Sequence, residues 1–178
     1  MSRVDEKFAE LRAAGQKAFM PFITAGDPSV EATVAIAAEV ERRGASIIEL
    51  GVPYTDPVAD GPVIQESYTR ALSGGTTPGD AFRAVELMRG AGVKIPVCLM
   101  VSYTLVWRGG VEQFADRARS VGVDGLIIPD LPVEGAAQLG PVLADRDLSQ
   151  ILLVAPTTPP QRRQTIPAYV PQSSQKNN

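Results

Sequence analysis

Two carboxylates set eleven residues apart are the side chains in this sequence best placed to do chemistry. Glu49 lies in Ile47-Ile48-Glu49-Leu50, a run otherwise built of residues that pack in cores. An unpaired ionised carboxylate among apolar side chains is costly, so burial drives its pKa upward. A carboxyl tuned that way can give and take protons near neutral pH. The plainer role is a strand residue that faces water or pairs with a lysine or arginine. Asp60 follows in Tyr54-Thr55-Asp56-Pro57-Val58-Ala59-Asp60-Gly61-Pro62. With Glu49 at the top of a strand, this loop can fold back over it, which makes Asp56 and Asp60 candidates for a second carboxylate. An aspartate beside proline or glycine is also the ordinary choice for a turn or a helix cap, and both roles stay open for each. Asp27 and Asp130, next to Pro28 and Leu131-Pro132, read as turn formers.

Other chemistries are excluded by composition. The 178 residues contain no histidine, which removes Ser-His-Asp and Cys-His nucleophile pairs and any ordinary zinc site. Acid–base work falls to Asp, Glu, Tyr or Lys. The single cysteine, Cys98, cannot pair internally and reads as a core residue, consistent with a reducing, cytoplasmic compartment. A net charge of -3 with mixed signs offers no basic face for nucleic acid. No apolar run approaches the roughly 18 residues of a membrane span, and the charged stretch Met1 to Ala13 has no signal-peptide core.

The carboxylates need a frame, and the sequence supplies one in alternating segments. Val4, Phe8 and Leu11 share a helix face. Ala18 to Ile23 reads as a buried strand running into the turn-rich Thr24-Ala25-Gly26-Asp27-Pro28. Ser29 can cap a helix carrying Val34, Ala37 and Val40 and ending before Gly44. Ser46 to Leu50 is a second strand, and Gly51 to Gly75 a long connecting segment. Thr77, Pro78 and Asp80 open a helix to about Arg89. Ile95 to Val101 is a third strand. Val111, Phe114, Ala118 and Val121 mark a helix stopped by Gly122. Gly125 to Ile128 is a fourth strand, Val133 to Leu143 a helix, and Gln150 to Ala155 a fifth strand.

Short apolar strands alternating with helices imply a parallel sheet. An open doubly wound sheet and a (β/α)8 TIM barrel are the two candidates. No Gly-x-Gly-x-x-Gly follows the first strand, and the longest loop follows the second strand, where barrels keep their chemistry. A full barrel takes about 250 residues. The expected architecture is therefore an α/β barrel over 1–158, C-terminally incomplete with about five of eight strands. An irregular or disordered tail is expected over 159–178. Phe22, Met100 and Ile127 fall near strand ends, where they pack or line an apolar ligand pocket.

Ile48-Glu49-Leu50-Gly51-Val52-Pro53-Tyr54-Thr55-Asp56-Pro57-Val58-Ala59-Asp60-Gly61 resembles the signature of the tryptophan synthase alpha chain family. Pro21-Phe22-Ile23-Thr24-Ala25-Gly26-Asp27-Pro28 looks like that family's first strand and loop, and Gly122 to Pro132 like its fourth. The resemblance runs to about Pro159. It implies a (β/α)8 barrel that cleaves indole-3-glycerol phosphate to indole and glyceraldehyde 3-phosphate by a retro-aldol reaction. Carried over residue by residue, Glu49 is the acid–base group and Asp60 the partner of the indole N–H, kept ionised by a polar loop. Phe22, Met100 and Ile127 match positions lining the indole pocket. No metal or organic cofactor is implied in this chain. The implied partner is a pyridoxal-phosphate-dependent tryptophan synthase beta chain in an alpha2-beta2 heterotetramer. Pro53, Asp56 and Pro57 match the loop that contacts it.

Two stretches depart from the family. Ser102-Tyr103-Thr104-Leu105 stands where the family commonly has Tyr-Tyr-Asn, and the late Gly-rich phosphate loops are not recognisable in the tail. The tail leaves a second expectation: a catalytically silent alpha-type module that docks on the beta chain and activates it.

Overall fold

The computed structural model describes residues 2–57 and 60–165. Five strands form one parallel sheet in the order β1 (Phe22–Thr24), β2 (Ile48–Gly51), β3 (Val97–Met100), β4 (Gly125–Ile127) and β5 (Ser149–Ile151). Each strand adds to the same growing edge, and the order never reverses. A doubly wound sheet reverses at a switch point, so the arrangement is that of the first five units of a (β/α)8 barrel.

The helices follow from local signals. In α1 (Arg3–Ala13) Ser2 and Asp5 form a reciprocal capping box. Ser29 caps α2 (Val30–Arg42) through the Ala32 amide. Thr77 and Asp80 box the start of α4 (Pro78–Gly90), with Pro78 at its first turn. Gly122, at φ 90°, ends α6 (Val111–Val121) in the left-handed conformation that glycine adopts without strain. The helix α7 (Val133–Ala144) leads into β5.

Two helices stand in segments that the sequence reading leaves as connections. α3 (Pro62–Ser73) lies inside the segment expected to be a long connection. Its packed face carries Ile64, Tyr68 and Ala71 at helical spacing, a short stripe with Ser67 beside it that the reading passed over behind the loop-like Gly61-Pro62. α5 (Tyr103–Arg108), the stretch that departs from the family pattern, has only six residues, too few for a period to show. Other expectations shift in extent. β1 begins four residues later than read, at Phe22, and β5 ends at Ile151, leaving Leu153 and Val154 exposed beyond it. Val4 and Leu11 are buried, but Phe8 is 40% exposed. The tail expected to be irregular from 159 begins with a helical turn, α8 (Pro160–Thr165); residues 166–178 lie outside the described residues.

Register assigns the two faces of the sheet. Ile23, Leu50, Leu99 and Leu126 are paired neighbours on the outer face and join the core packed against α2, α4, α6 and α7. The inner face carries two layers. Phe22, Glu49, Cys98, Gly125 and Ser149 form the lower layer, and Thr24, Gly51, Met100, Ile127 and Ile151 the upper. Ile47, Cys98, Met100 and Ile127 make a separate inner cluster with Phe22, Ile64 and Ile151.

The N-terminal end of the sheet is closed. Val4 of α1 enters the inner cluster, and Ser2 Oγ lies 2.6 Å from Ser149 Oγ at the start of β5. Arg3 bonds the Lys94 carbonyl and Asp124. Asp124, 2% exposed, ties this end together. It accepts from Arg89 Nη2 at 2.6 Å, from the Val97 amide at 2.8 Å and from Arg3 Nη1 at 3.1 Å. Arg89 in turn donates to the carbonyls of Gly122, Val93 and Ile95. Burial pushes the Arg89 pKa down, and the Asp124 charge opposes that shift. Removing the carboxylate leaves a mostly buried guanidinium and a strand amide without their acceptor. Asp124→Ala is therefore expected to cost about 3–5 kcal/mol, read as a lowered urea midpoint at pH 7; a loss under about 1 kcal/mol would contradict this account of the network.

Candidate active site

The opposite, C-terminal end of the sheet opens into a cleft of about 230 Å³. Val52 and the loop residues Tyr54, Asp56, Pro57 and Asp60 line one side. Met100, Val101, Ser102 and Thr104 at the end of β3, with Pro129 and Asp130 after β4, line the other, and Tyr68 of α3 completes it. This is the rim on which (β/α) barrels build their sites.

Glu49 stands below the cleft on the inner face of β2, in register with Phe22 and Cys98. It is not part of the cleft wall itself; it lies two residues, about 7 Å along the strand, beneath Gly51. Its layer is apolar apart from Ser149, and no hydrogen bond or ion pair reaches its carboxylate among the described residues. Burial alone raises its pKa. Glu49 is thus half-buried on the inner face and, among the described residues, unpaired with any lysine or arginine. Its charge also acts on Cys98, whose thiol is pushed far up, chiefly by burial, which leaves it an inert core group.

Gly51 caps this layer. A Cβ there would overlap the Phe22 ring and come within 2.8 Å of the Tyr68 hydroxyl. Only a glycine lets the two aromatic rings, 6.5 Å apart, close over the strand end. Phe22 and Ile127 join Met100 in the inner cluster, and of the three only Met100 reaches the cleft wall.

Asp60 is held at the cleft by its own backbone. Its amide donates to the Pro57 carbonyl at 3.2 Å, and Gln65 Nε2 donates to its carbonyl at 2.7 Å. Its pKa is raised, first by burial and then by the charge of Asp130. Burial and the Asp60 charge both push the Tyr68 phenol up. Asp130 itself does more than turn the chain: it accepts from Ser102 Oγ at 2.7 Å and from the Tyr103 amide at 2.8 Å. Asp27 pairs with Arg70 at 2.7 Å, in keeping with a structural role. Of the three residues matched to a partner-contact loop, Asp56 is exposed and Pro57 half-buried, whereas Pro53 is buried. Tyr68, Tyr54 and Asp130 are cleft residues that the sequence reading did not place in the site. Tyr54 lay within the signature and was the easiest of the three to find; for Tyr68 the available signal was its helical spacing with Ile64 and Ala71.

The family model for the tryptophan synthase alpha chain matches residues 8–171. The chain belongs to the tryptophan synthase alpha chain family. The match runs past Pro159, where the recognisable motifs stop. The alpha chain of Clostridium kluyveri is 45% identical over 158 residues, and that of Microcystis aeruginosa 46% over 166. These alignments cover 89% and 93% of this chain but 60% and 62% of the relatives, so the chain spans about three fifths of their length. The structure superimposes on the alpha subunit from Legionella pneumophila with a TM-score of 0.90 at 36% identity, covering 96% of this chain and 65% of that one. Against a structure of the tryptophan synthase a2b2 complex from Pyrococcus furiosus the TM-score is 0.82 at 36% identity, over 86% and 61% of the two chains. This tryptophan synthase alpha-type chain has no helix long and apolar enough to cross a membrane, and no metal-holding cluster of His, Cys, Asp or Glu, among its described residues.

Burial of Glu49 has a thermodynamic signature. Its folded pKa lies above the ordinary 4.5, so its contribution to stability is fully present below that pH and is lost as pH rises through the folded value. Glu49→Gln should therefore unfold at higher urea than the parent at pH 7, with the gap closing below about pH 4. A gap that is absent at pH 7, or that widens in acid, would mean the carboxylate is not desolvated.

Proposed function

We propose that the chain carries the acid–base half of an indole-3-glycerol phosphate lyase site, releasing indole and glyceraldehyde 3-phosphate in tryptophan biosynthesis. The observation that carries the reading is the unpaired Glu49 carboxylate on the inner wall of the sheet, its pKa raised by burial alone. Retro-aldol cleavage needs a proton delivered to indole C3 and a proton taken from the hydroxyl on the carbon that becomes the aldehyde. Glu49 does both: in its protonated form it supplies the first, and the resulting carboxylate accepts the second. The electrons of the breaking C–C bond return to the ring as the aldehyde forms. Protonation at C3 leaves a positive charge shared with the indole nitrogen. Asp60 accepts the N–H hydrogen bond and faces that charge, an anion preplaced where positive charge develops. Phe22, Met100 and Ile127 supply the apolar surface for the ring. No cofactor is required for this cleavage.

Asp56 and Pro57, with Pro53 beneath them, form the loop assigned to contact with a tryptophan synthase beta chain in an alpha2-beta2 assembly. Pyridoxal phosphate belongs to that partner, and the cytoplasm is the compartment assigned to both. The a2b2 complex named for the Pyrococcus furiosus relative supports this partnership.

The test separates cleavage from docking. The purified chain is assayed for indole release from indole-3-glycerol phosphate, and for its effect on indole-plus-serine condensation by added beta chain. Glu49→Gln should lower indole release by about 10²- to 10⁴-fold, and Asp60→Asn by about 10²-fold, with neither abolishing the effect on condensation. Parent-like indole release by Glu49→Gln would refute the assignment. Stimulated condensation with no indole release by the parent chain would identify a silent docking module.

A further inference from the structure

Asp130 sits at the cleft with two hydrogen bonds that no turn requires. Its Oδ2 accepts from Ser102 Oγ at 2.7 Å, and its Oδ1 from the Tyr103 amide at 2.8 Å. Ser102 Oγ also takes the Thr104 amide at 3.3 Å, so the whole entry to α5 hangs on one carboxylate from the next β/α unit. Ser102, Thr104 and Asp130 all line the cleft, across from the loop that carries Asp60. The titratable groups on the described cleft wall are Tyr54, Asp56 and Asp60 on the loop after β2, Tyr68 on α3, and Asp130 after β4; Glu49 lies beneath them on β2.

We propose that Asp130 is a positioning residue acting through Asp60: it fixes the β3–α5 connection as the facing wall of the cleft and sets a second negative charge opposite the Asp60 carboxylate. The inference rests on the lyase reading for its catalytic consequence, and on the hydrogen bonds and shared cleft for its structural part. A carboxylate facing another holds its proton more tightly, and the Asp130 charge does raise the Asp60 pKa, after burial. A more basic Asp60 is a stronger acceptor for the N–H of a ring that turns cationic. The paired anions then attract the protonated ring more than the neutral one, which favours the cation-bearing state over the bound substrate.

Two variants separate wall from charge. Asp130→Asn keeps an oxygen for the Tyr103 amide and an amide group beside Ser102 Oγ, but removes the charge. Asp130→Ala removes both. Carbon-13 NMR titration of Asp60 in the full chain should show its midpoint lowered in both variants. The Tyr103 amide should remain protected from hydrogen exchange in Asp130→Asn and become unprotected in Asp130→Ala. In the indole-release assay Asp130→Asn should lose about tenfold in kcat with little change in KM, and Asp130→Ala should also raise KM. An Asp60 midpoint at the parent value in Asp130→Asn overturns the proposal, as does an unchanged Tyr103 exchange rate in Asp130→Ala. Should the parent release no indole, the lyase reading falls while the titration and exchange results still decide the role of Asp130.

Discussion

A carboxylate with no partner among the described residues, placed on the inner face of a parallel sheet, is the constraint around which the chain is arranged. Glu49 shares its layer with Phe22, Cys98, Gly125 and Ser149, none of which carries a charge. Elsewhere the chain treats buried charge differently. Asp124, more deeply buried, is matched by two arginines and a strand amide, three donors on its two oxygens. The contrast is physical: a satisfied buried carboxylate is inert scaffolding, whereas an unsatisfied one stays poised to change protonation state. The two lie at nearly the same level of the sheet: Asp124 directly precedes Gly125, which shares the lower inner layer with Glu49.

The open end is built so that polar groups gather above the apolar layer without reaching into it. Gly51 gives up its side chain to let Phe22 and Tyr68 close over the strand end. Gln65 fastens the Asp60 backbone, and Asp130 fastens the start of α5. Asp60 and Asp130 consequently meet across the cleft as two anions, each held by backbone or side-chain bonds that do not neutralise it. A pair of like charges is unfavourable in the empty protein, and it becomes favourable only when positive charge appears between them.

The parts of this arrangement that were legible in the sequence are those with a local cause. Glu49 stood out because a charged residue interrupts an apolar strand, and register then placed it on the inner face. The caps at Ser29 and Thr77 and the stop at Gly122 were readable because one side chain, or the lack of one, determines each. What escaped reading depends on packing between distant segments. α3 carries only a short stripe, Ile64, Tyr68 and Ala71, with a buried serine beside it and the loop-like Gly61-Pro62 before it, and Tyr68 was not placed in the cleft. The raised Asp60 pKa was not readable either, because its causes, burial and the charge of Asp130 seventy residues along the chain, come from packing. Asp130 looked like a turn residue because Pro132 follows closely, and its bonds to Ser102 and Tyr103 come from the neighbouring β/α unit.

The five-strand sheet is enough to bring the cleft residues together. In a barrel each β/α unit adds its strand beside the previous one, so residues on adjacent strands meet whatever follows later in the order. Glu49, the Asp60 loop, Met100 and Asp130 come from the ends of β2, β3 and β4, three consecutive neighbours. Their mutual geometry is fixed by the registers of those strands and by α1 beneath them. The side chains these three strand ends gather at the cleft are carboxylates, hydroxyls and apolar groups, which suits the proton-transfer role proposed for Glu49 and Asp60.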